Sequence, residues 1–136
     1  MFILESQSIG CRISTTYLSL KYTESDGVSI IVDAMELTPH SKDYFQVELI
    51  FNIVAELKCV TLNFYEANYK NISINNIDDV SLDSGIYEVT NSVLLKEKEK
   101  LYDPKNRFIL KHYIITGYDS YIEILAAGFS CVRCGN

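Results

Sequence analysis

The chain has 136 residues, of which 48% are apolar and 22% are charged, and its formal net charge is −6. This size predicts one domain spanning residues 1–136, and the apolar fraction excludes an intrinsically disordered chain. No apolar run reaches the roughly 18 residues that a membrane-spanning helix needs, and residues 1–8 lack the basic start of a secretion signal, so we expect a cytoplasmic protein.

The side-chain composition favours β-sheet. The chain contains 16 Ile, 9 Val, 7 Thr, 10 Tyr and 6 Phe, but only 5 Ala. Side chains that are aromatic or branched at Cβ pack well on a pleated surface, whereas alanine is the best helix former. We therefore expect an α+β fold that is mainly β, with one or more antiparallel sheets forming a sandwich or a half-barrel.

The first half of the sequence predicts a hairpin followed by further strands. Residues 17–23 and 28–32 have strand patterns and flank ESDG (24–27), where Asp26 and Gly27 both tolerate the positive φ of a type I′ turn. Apolar side chains occupy the seven odd positions from 45 to 57, which predicts a strand. Residues 58–65 predict a second strand after a tight connection near residues 56–58, and residues 68–84 predict a short strand within a loop-like region.

The second half predicts one short helix and a second hairpin. Residues 86–90 have a strand pattern, Ser92 is a candidate N-cap for a helix over 93–101, and Asp103-Pro104 ends that helix. Residues 107–115 and 119–127 flank Gly117, which predicts a two-residue type II′ loop with His112 opposite Glu123. Both faces of these strands are largely apolar, so we expect them in the centre of the sheet, covered on both sides.

Few residues suggest catalysis or metal binding. Cys131 and Cys134 form a CxxC, which can be half of a zinc site or a redox pair, but the chain has no second CxxC and no paired histidines. His112 and Glu123 can orient a general base, but GxSxG, the P-loop and GxGxxG are all missing. We therefore expect structural thiols, no metal, no cofactor and no catalytic residues. An enzyme that uses His112 and Glu123, both exposed in a cleft, stays as an alternative.

Charge is distributed unevenly along the chain. Residues 1–95 hold 5 basic and 13 acidic side chains, whereas residues 96–111 hold 6 basic and 3 acidic side chains. The alternation of Lys and Glu at 96–100 is typical of a solvated helix face. A mainly acidic surface repels nucleic acid and attracts basic partners, so we expect a protein partner rather than a nucleic acid or a membrane.

The final third of the sequence resembles small bacterial immunity proteins of contact-dependent growth inhibition and other polymorphic-toxin systems. The segments that carry this resemblance are YEVTNS (87–92), YDP (102–104), LKHYII (110–115) and GYDSYIEILA (117–126). The resemblance implies a compact cytoplasmic toxin inhibitor that binds one cognate toxin domain, often a basic nuclease, and blocks it.

An inhibitor of a nuclease gains from an acidic surface, because the nuclease needs positive charge to hold phosphate. The candidate partner-binding residues are the acids in or beside the predicted loops: Glu24, Asp26, Asp33, Glu36, Asp78, Asp79 and Asp83. A second hypothesis is a β-barrel or sandwich that holds a small ligand in its interior.

Overall fold

The fold is a single curled sheet. A computed structural model describes residues 1–37, 43–75 and 84–134, and the elements are β1 (Phe2–Ser6), β2 (Arg12–Thr23), β3 (Gly27–Met35), β4 (Phe45–Val60), α1 (Phe64–Ala67), β5 (Ile72–Asn75), β6 (Ile86–Val89), α2 (Val93–Tyr102), β7 (Lys111–Thr116) and β8 (Tyr121–Arg133). The eight strands lie in the order β2-β3-β4-β8-β7-β6-β1-β5 and form a half-barrel. Strands make up 57% of the structure and helices 12%, so the predicted mainly β fold is confirmed.

The first hairpin is confirmed, but its turn differs from the prediction. β2 and β3 are antiparallel and Thr23 pairs with Gly27, which leaves a three-residue turn. Only Gly27 has a positive φ, of 77°, whereas a type I′ turn needs a second positive φ at Asp26. The amide of Asp26 donates a hydrogen bond to Thr23 Oγ1 at 3.0 Å, which closes the turn locally.

β4 is one long strand, so the predicted tight connection near residues 56–58 is wrong. The strand continues to Val60 and the chain then enters α1, a short helix whose first two residues were predicted to end a strand over 58–65. Instead of a turn, β4 has a bend at Ile53, where φ is 52°, and the register against β8 shifts between Val54 and Glu56. Such a bulge bends a strand and increases its twist, which lets β4 follow the curl of the sheet.

β7 and β8 lie in the centre of the sheet, as predicted, and the side chains of residues 112–116 and 124–126 are buried on both faces, whereas the second half of β8 is only partly covered. Their connection is longer than predicted, because Thr116 pairs with Tyr121 and four residues form the turn. Gly117 does not adopt a positive φ, so the type II′ loop is wrong. The register is shifted by two residues, which preserves the two faces but places His112 opposite Leu125.

The curl brings the start of β2 against the start of β6. The amide of Ile13 donates to the carbonyl of Ser84 at 2.8 Å, and the side chains of Ser6 and Ser84 are 3.2 Å apart. Gly85 allows this approach: its φ is 84°, and a Cβ there would lie 3.1 Å from Thr116 Oγ1 and 3.2 Å from Ile13 Cβ. A larger residue at 85 would therefore separate the start of β2 from the segment before β6 and weaken the contact between Ile13 and Ser84.

Two clusters of apolar side chains lie on opposite faces of the sheet. The larger cluster lies on the face to which Ile30 of β3 and Leu49 of β4 point. It contains Cys11, Ile13, Val28, Ile30, Val32, Ala34, Val47, Leu49, Phe51, Ile86, Tyr113, Ile115, Ile122, Ile124 and Ala126. The smaller cluster includes Phe64 of α1 and lies on the other face, where it contains Leu4, Phe64, Tyr87, Val89 and Ile114.

Candidate functional site

The tip of the β2–β3 hairpin presents two of the predicted partner-binding acids. Glu24 and Asp26 are both exposed, and neither carboxylate has a partner among the described residues. The tight turn holds them close together because only Ser25 separates them. Their charges therefore add, and both remain available to a partner.

Two other predicted acids lie at the far end of β3 and have partners within the protein. Asp33 accepts hydrogen bonds from Thr16 Oγ1 at 2.7 Å and from Gln46 Nε2 at 3.3 Å. Glu36 lies 3.5 Å from Arg133 Nη1. Asp33 lies seven residue steps along the chain from Asp26, which is roughly 23 Å in an extended strand. The structure therefore does not bring these four acids together, and Asp78, Asp79 and Asp83 lie outside the described residues.

The hairpin tip adjoins the bend in β4. A Cβ on Gly27 would lie 3.7 Å from the carbonyl oxygen of Phe51, two residues before Ile53. The side chain of Ile53 is 54% exposed although the period-two pattern predicts that it shares the buried face of Phe51. A left-handed backbone is costly for a residue branched at Cβ, by roughly 1–2 kcal/mol, and the energy is not recovered by burial.

A second exposed isoleucine with a left-handed backbone lies across β8. Ile109 has a φ of 54° and is 63% exposed, and Phe108 beside it is 43% exposed. Asn52 pairs with Gly128 and Lys111 pairs with Ala126, so Ile53 and Ile109 flank the same short stretch of β8. No signal in the sequence distinguishes these two isoleucines from the buried ones.

A buried carboxylate holds the loop that carries Ile109. Asp103 is 7% exposed and accepts hydrogen bonds from the amides of Arg107, Phe108 and Ile109, at 2.7, 3.1 and 3.0 Å. The sequence analysis gave Asp103 only the role of ending a helix. In the structure it also fixes the backbone of the following loop, so Phe108 and Ile109 are held in their exposed positions.

His112 and Glu123 are in contact, as predicted, but beneath α2 rather than in a cleft. Ser92 Oγ accepts from the amide of Leu95 and lies 2.7 Å from His112 Nδ1. In the tautomer that donates Nε2–H to the Glu123 carboxylate, Nδ1 is an acceptor, so the Ser92 hydroxyl donates to it. His112 Nε2 lies 3.0 Å from Glu123 Oε1, and the His112 side chain is 1% exposed.

This network ties α2 to the two central strands. The hydrogen bond from His112 lowers the pKa of Glu123 below its ordinary value. Burial opposes this shift, whereas the nearby Lys58 supports it. Both imidazole nitrogens are already engaged and the ring has almost no exposed surface, which favours a structural role over general-base chemistry.

Two of the four cysteines, Cys11 and Cys131, also favour a structural interpretation. All four are free, and burial raises the pKa of Cys11 to about 11, with a further contribution from the nearby Cys131. Burial likewise raises the pKa of Cys131. Since the thiolate is both the nucleophile and the metal ligand, these shifts make the two thiols poorly reactive. Within the described parts of the chain, no group of three or more His, Cys, Asp or Glu side chains is placed to bind a metal ion.

An open pocket of about 550 Å³ lies on the inner face of the curled sheet. Residues 7–9, between β1 and β2, form one wall. The opposite wall comes from the start of β7 and from residues 127–131 of β8, including Lys111, Tyr113 and Phe129.

The remaining observations concern the whole chain. None of the helices in the described ranges is both long enough and apolar enough to cross a bilayer. Comparisons with protein-family models, with curated proteins and with solved structures find no match to this chain.

Proposed function

We propose that this protein is an immunity protein that binds a basic toxin domain, such as a nuclease, and thereby neutralises it. The observation that carries the proposal is the hairpin tip, where Glu24 and Asp26 are exposed, close together and unpaired within the described residues. Beside them, the exposed Ile53 supplies an apolar contact. Carboxylates around an apolar side chain suit a partner whose surface is basic and partly apolar.

The charge of the chain supports this choice of partner. With a net charge of −6, the protein attracts a basic domain over distances comparable with the Debye length, roughly 8–10 Å at physiological salt. A nuclease surface that holds phosphates is of this kind, and an acidic inhibitor presents it with the charge of its substrate. Steering of this type accelerates encounter, and its effect weakens as salt rises.

The exposed isoleucine supports a contact rather than a merely solvated tip. The left-handed backbone at Ile53 costs stability, and the exposed side chain gains little from the core. A partner that covers this side chain would recover apolar burial that the isolated protein lacks. Because the tip and Ile53 are neighbours, one partner surface can contact both.

The proposal is tested with the double variant Glu24→Lys/Asp26→Lys and a basic nuclease-toxin domain that the wild-type protein captures from a panel of such domains. We expect its affinity for the toxin domain to fall on the order of tenfold or more, with a weaker dependence on salt. The matched control is Glu66→Lys/Glu97→Lys, which reverses the same number of exposed acids on the two helices. Affinity is measured by calorimetry at two salt concentrations, and protection is measured as the residual activity of the toxin.

Three outcomes would contradict the proposal. The first is no complex between the wild-type protein and the toxin domain. The second is an unchanged affinity of the hairpin-tip variant when its circular dichroism shows an intact fold. The third is an equal loss for the control pair, which would indicate a general charge effect. The acids Asp78, Asp79 and Asp83 are reversed together in a separate variant, and an unchanged affinity there would exclude that segment from the interface.

A further inference from the structure

We propose that this protein forms a homodimer through the surface that runs across β8 from the hairpin tip to the loop between α2 and β7. The inference goes beyond toxin binding and does not depend on it, because the partner is a second copy of this chain. It rests on the order in which acidic, apolar and basic side chains follow one another along this surface.

One end of the surface is acidic and then apolar. Glu24 and Asp26 at the hairpin tip are exposed, and neither carboxylate forms an ion pair with any of the described residues. The next strand is β4, where Val28 of β3 pairs with Phe51 and the exposed Ile53 follows two residues later. An exposed apolar side chain therefore lies beside the two negative charges.

The other end of the surface is apolar and then basic. Phe108 and Ile109, which lie between α2 and β7, are both exposed. Lys105 and Arg107 belong to the same loop and are exposed as well. Among the described residues, no carboxylate forms an ion pair with either cation. The charge of this loop is therefore opposite to that of the hairpin tip, and both charges have an apolar neighbour.

The basic loop is held in one conformation before any partner binds. The buried Asp103 carboxylate accepts hydrogen bonds from three of its amides, and Asn106 and Ile109 have positive φ values of 52° and 54°. A loop that is already ordered loses less conformational entropy on binding. The left-handed backbone at Ile109 also costs stability that its exposed side chain does not recover, and burial against a partner would offset this cost.

The two isoleucines are close enough to contact one partner together. β4 and β7 lie on either side of β8, and neighbouring strands are roughly 4.8 Å apart, so Ile53 and Ile109 are about 10 Å from each other. Between them β8 carries only the small residues Ala127 and Gly128, and a Cβ on Gly128 would meet no atom within 4 Å. No large side chain of β8 therefore separates the two apolar contacts.

A second copy of the chain is complementary to this surface. When it is rotated by half a turn about an axis parallel to β8, it presents the same row of side chains in the opposite order. Ile53 of each copy then lies against Ile109 of the other, and the acidic tip of each copy faces the basic loop of the other. The contact has an apolar centre and charged ends, as protein interfaces commonly do. Where the toxin-binding proposal also holds, the two partners compete for the hairpin tip.

The net charge of the chain sets the conditions for observing the dimer. Two copies that each carry a charge of −6 repel one another at long range. At physiological salt the Debye length is about 8 Å, so this repulsion is largely screened, whereas oppositely charged groups in contact are screened less. We therefore expect the dimer to be measurable at physiological salt and to be weakened in very dilute buffer.

The proposal is tested by sedimentation equilibrium of the full chain at physiological salt. We expect the weight-average mass to rise towards twice that of one chain between about 10 µM and 1 mM protein. A tip variant, Glu24→Lys/Asp26→Lys, and a loop variant, Lys105→Glu/Arg107→Glu, should each dimerise on the order of tenfold more weakly or less. An equimolar mixture of the two variants should associate again, because one is basic at both ends of the surface and the other is acidic at both ends.

Two matched controls separate this surface from general effects. Lys70→Glu/Lys96→Glu reverses two other exposed lysines and changes the net charge by the same amount as the loop variant, but should leave dimerisation unchanged. Ile109→Asn should weaken the dimer on the order of tenfold while leaving the single chain at least as stable, because asparagine tolerates a left-handed backbone better than isoleucine. Leu62→Asn, at a side chain exposed to a similar degree, should have no effect on dimerisation.

Other results would overturn the inference. A mass that stays at that of one chain over the whole concentration range would show that the wild type does not dimerise. If the tip and loop variants keep the circular dichroism of the wild type but do not associate when mixed, the two charged ends do not face each other. An equal loss for Lys70→Glu/Lys96→Glu, or unchanged dimerisation of Ile109→Asn, would place any dimer contact on a different surface. None of these measurements contains a toxin domain, so their failure leaves the toxin-binding proposal to its own test.

Discussion

The network beneath α2 makes a quantitative prediction for Ser92→Ala. The Ser92 hydroxyl performs two functions, since it caps the first turn of α2 through the Leu95 amide and donates to His112 Nδ1. Loss of an N-cap hydroxyl costs about 1 kcal/mol. Leaving a nitrogen of the buried imidazole without a partner costs roughly 1–3 kcal/mol more. We therefore expect the free energy of unfolding to fall by about 2–4 kcal/mol in total.

A double-mutant cycle separates the two contributions. In a His112→Phe background no imidazole remains to be satisfied, so Ser92→Ala should cost only the cap, about 1 kcal/mol. The loss of the Glu123 contact occurs in both halves of the cycle and cancels. The coupling energy between Ser92 and His112 should then be roughly 1–3 kcal/mol.

The assay is urea denaturation of the wild type, the two single variants and the double variant at neutral pH. The slope of the transition should stay constant across the set, which shows that the same surface is exposed on unfolding. Ser92→Thr is the conservative control and should cost less than about 1 kcal/mol, because threonine keeps the hydroxyl. An equal cost of Ser92→Ala in both backgrounds would refute the role of the hydroxyl in supporting the imidazole.

Three further predictions concern the carboxylates and one glycine. The hydrogen bond from His112 lowers the folded pKa of Glu123 below 4.5, so the carboxylate stabilises the fold at neutral pH and this stabilisation is lost as the pH falls through that lowered pKa. The urea midpoints of wild type and Glu123→Gln should therefore converge as the pH falls below about 4.5, and a constant gap would contradict this assignment. Asp103→Ala should lower the free energy of unfolding by about 2 kcal/mol because three amides lose their acceptor. Asp103→Asn should have a stability between those of the wild type and Asp103→Ala. A loss below about 0.5 kcal/mol for Asp103→Ala would show that water replaces the carboxylate. Gly85→Ala should cost about 2 kcal/mol or more in the same assay, whereas Gly128→Ala, with open space and no positive φ, should cost less than about 1 kcal/mol.

Features that depend on a few neighbouring residues could be predicted from the sequence. Ser92 before an unbroken helical stretch identified both the start of α2 and its cap. Asp26-Gly27 between two strand patterns identified the first hairpin, because glycine supplies the positive φ that the turn needs. Strands with two apolar faces were expected in the centre of the sheet, and β7 and β8 lie there.

Features that depend on distant parts of the chain could not be predicted. The alternation of apolar residues in β4 gives no indication of the positive φ at Ile53 or of the bulge between Val54 and Glu56, because a bulge reverses the faces of a strand without interrupting its composition. The register of β7 against β8 was wrong by two residues for a related reason. A shift by two keeps every side chain on its own face, so the apolar pattern alone cannot detect it.

In the candidate site, too, local features could be predicted from the sequence and features that depend on distant contacts could not. The exposure of Glu24 and Asp26 followed from their position in a turn, but the distance from Asp26 to Asp33 depends on how long β3 is. The neighbouring Ile53 was expected in the core and is exposed. The pocket likewise arises because the segment after β1 crosses the inner face of the curl, and no local pattern specifies that crossing.

The position of β8 has a consequence for how the protein is made. β8 follows the other seven strands in the sequence, yet it lies between β4 and β7. During synthesis, β4 therefore emerges from the ribosome long before the segment that covers one of its two edges. Contacts between segments so far apart in sequence form slowly, and an open strand edge can pair with a second nascent chain in the meantime. Efficient production of this protein would therefore benefit from low temperature or from a chaperone that shields that edge until β8 has emerged.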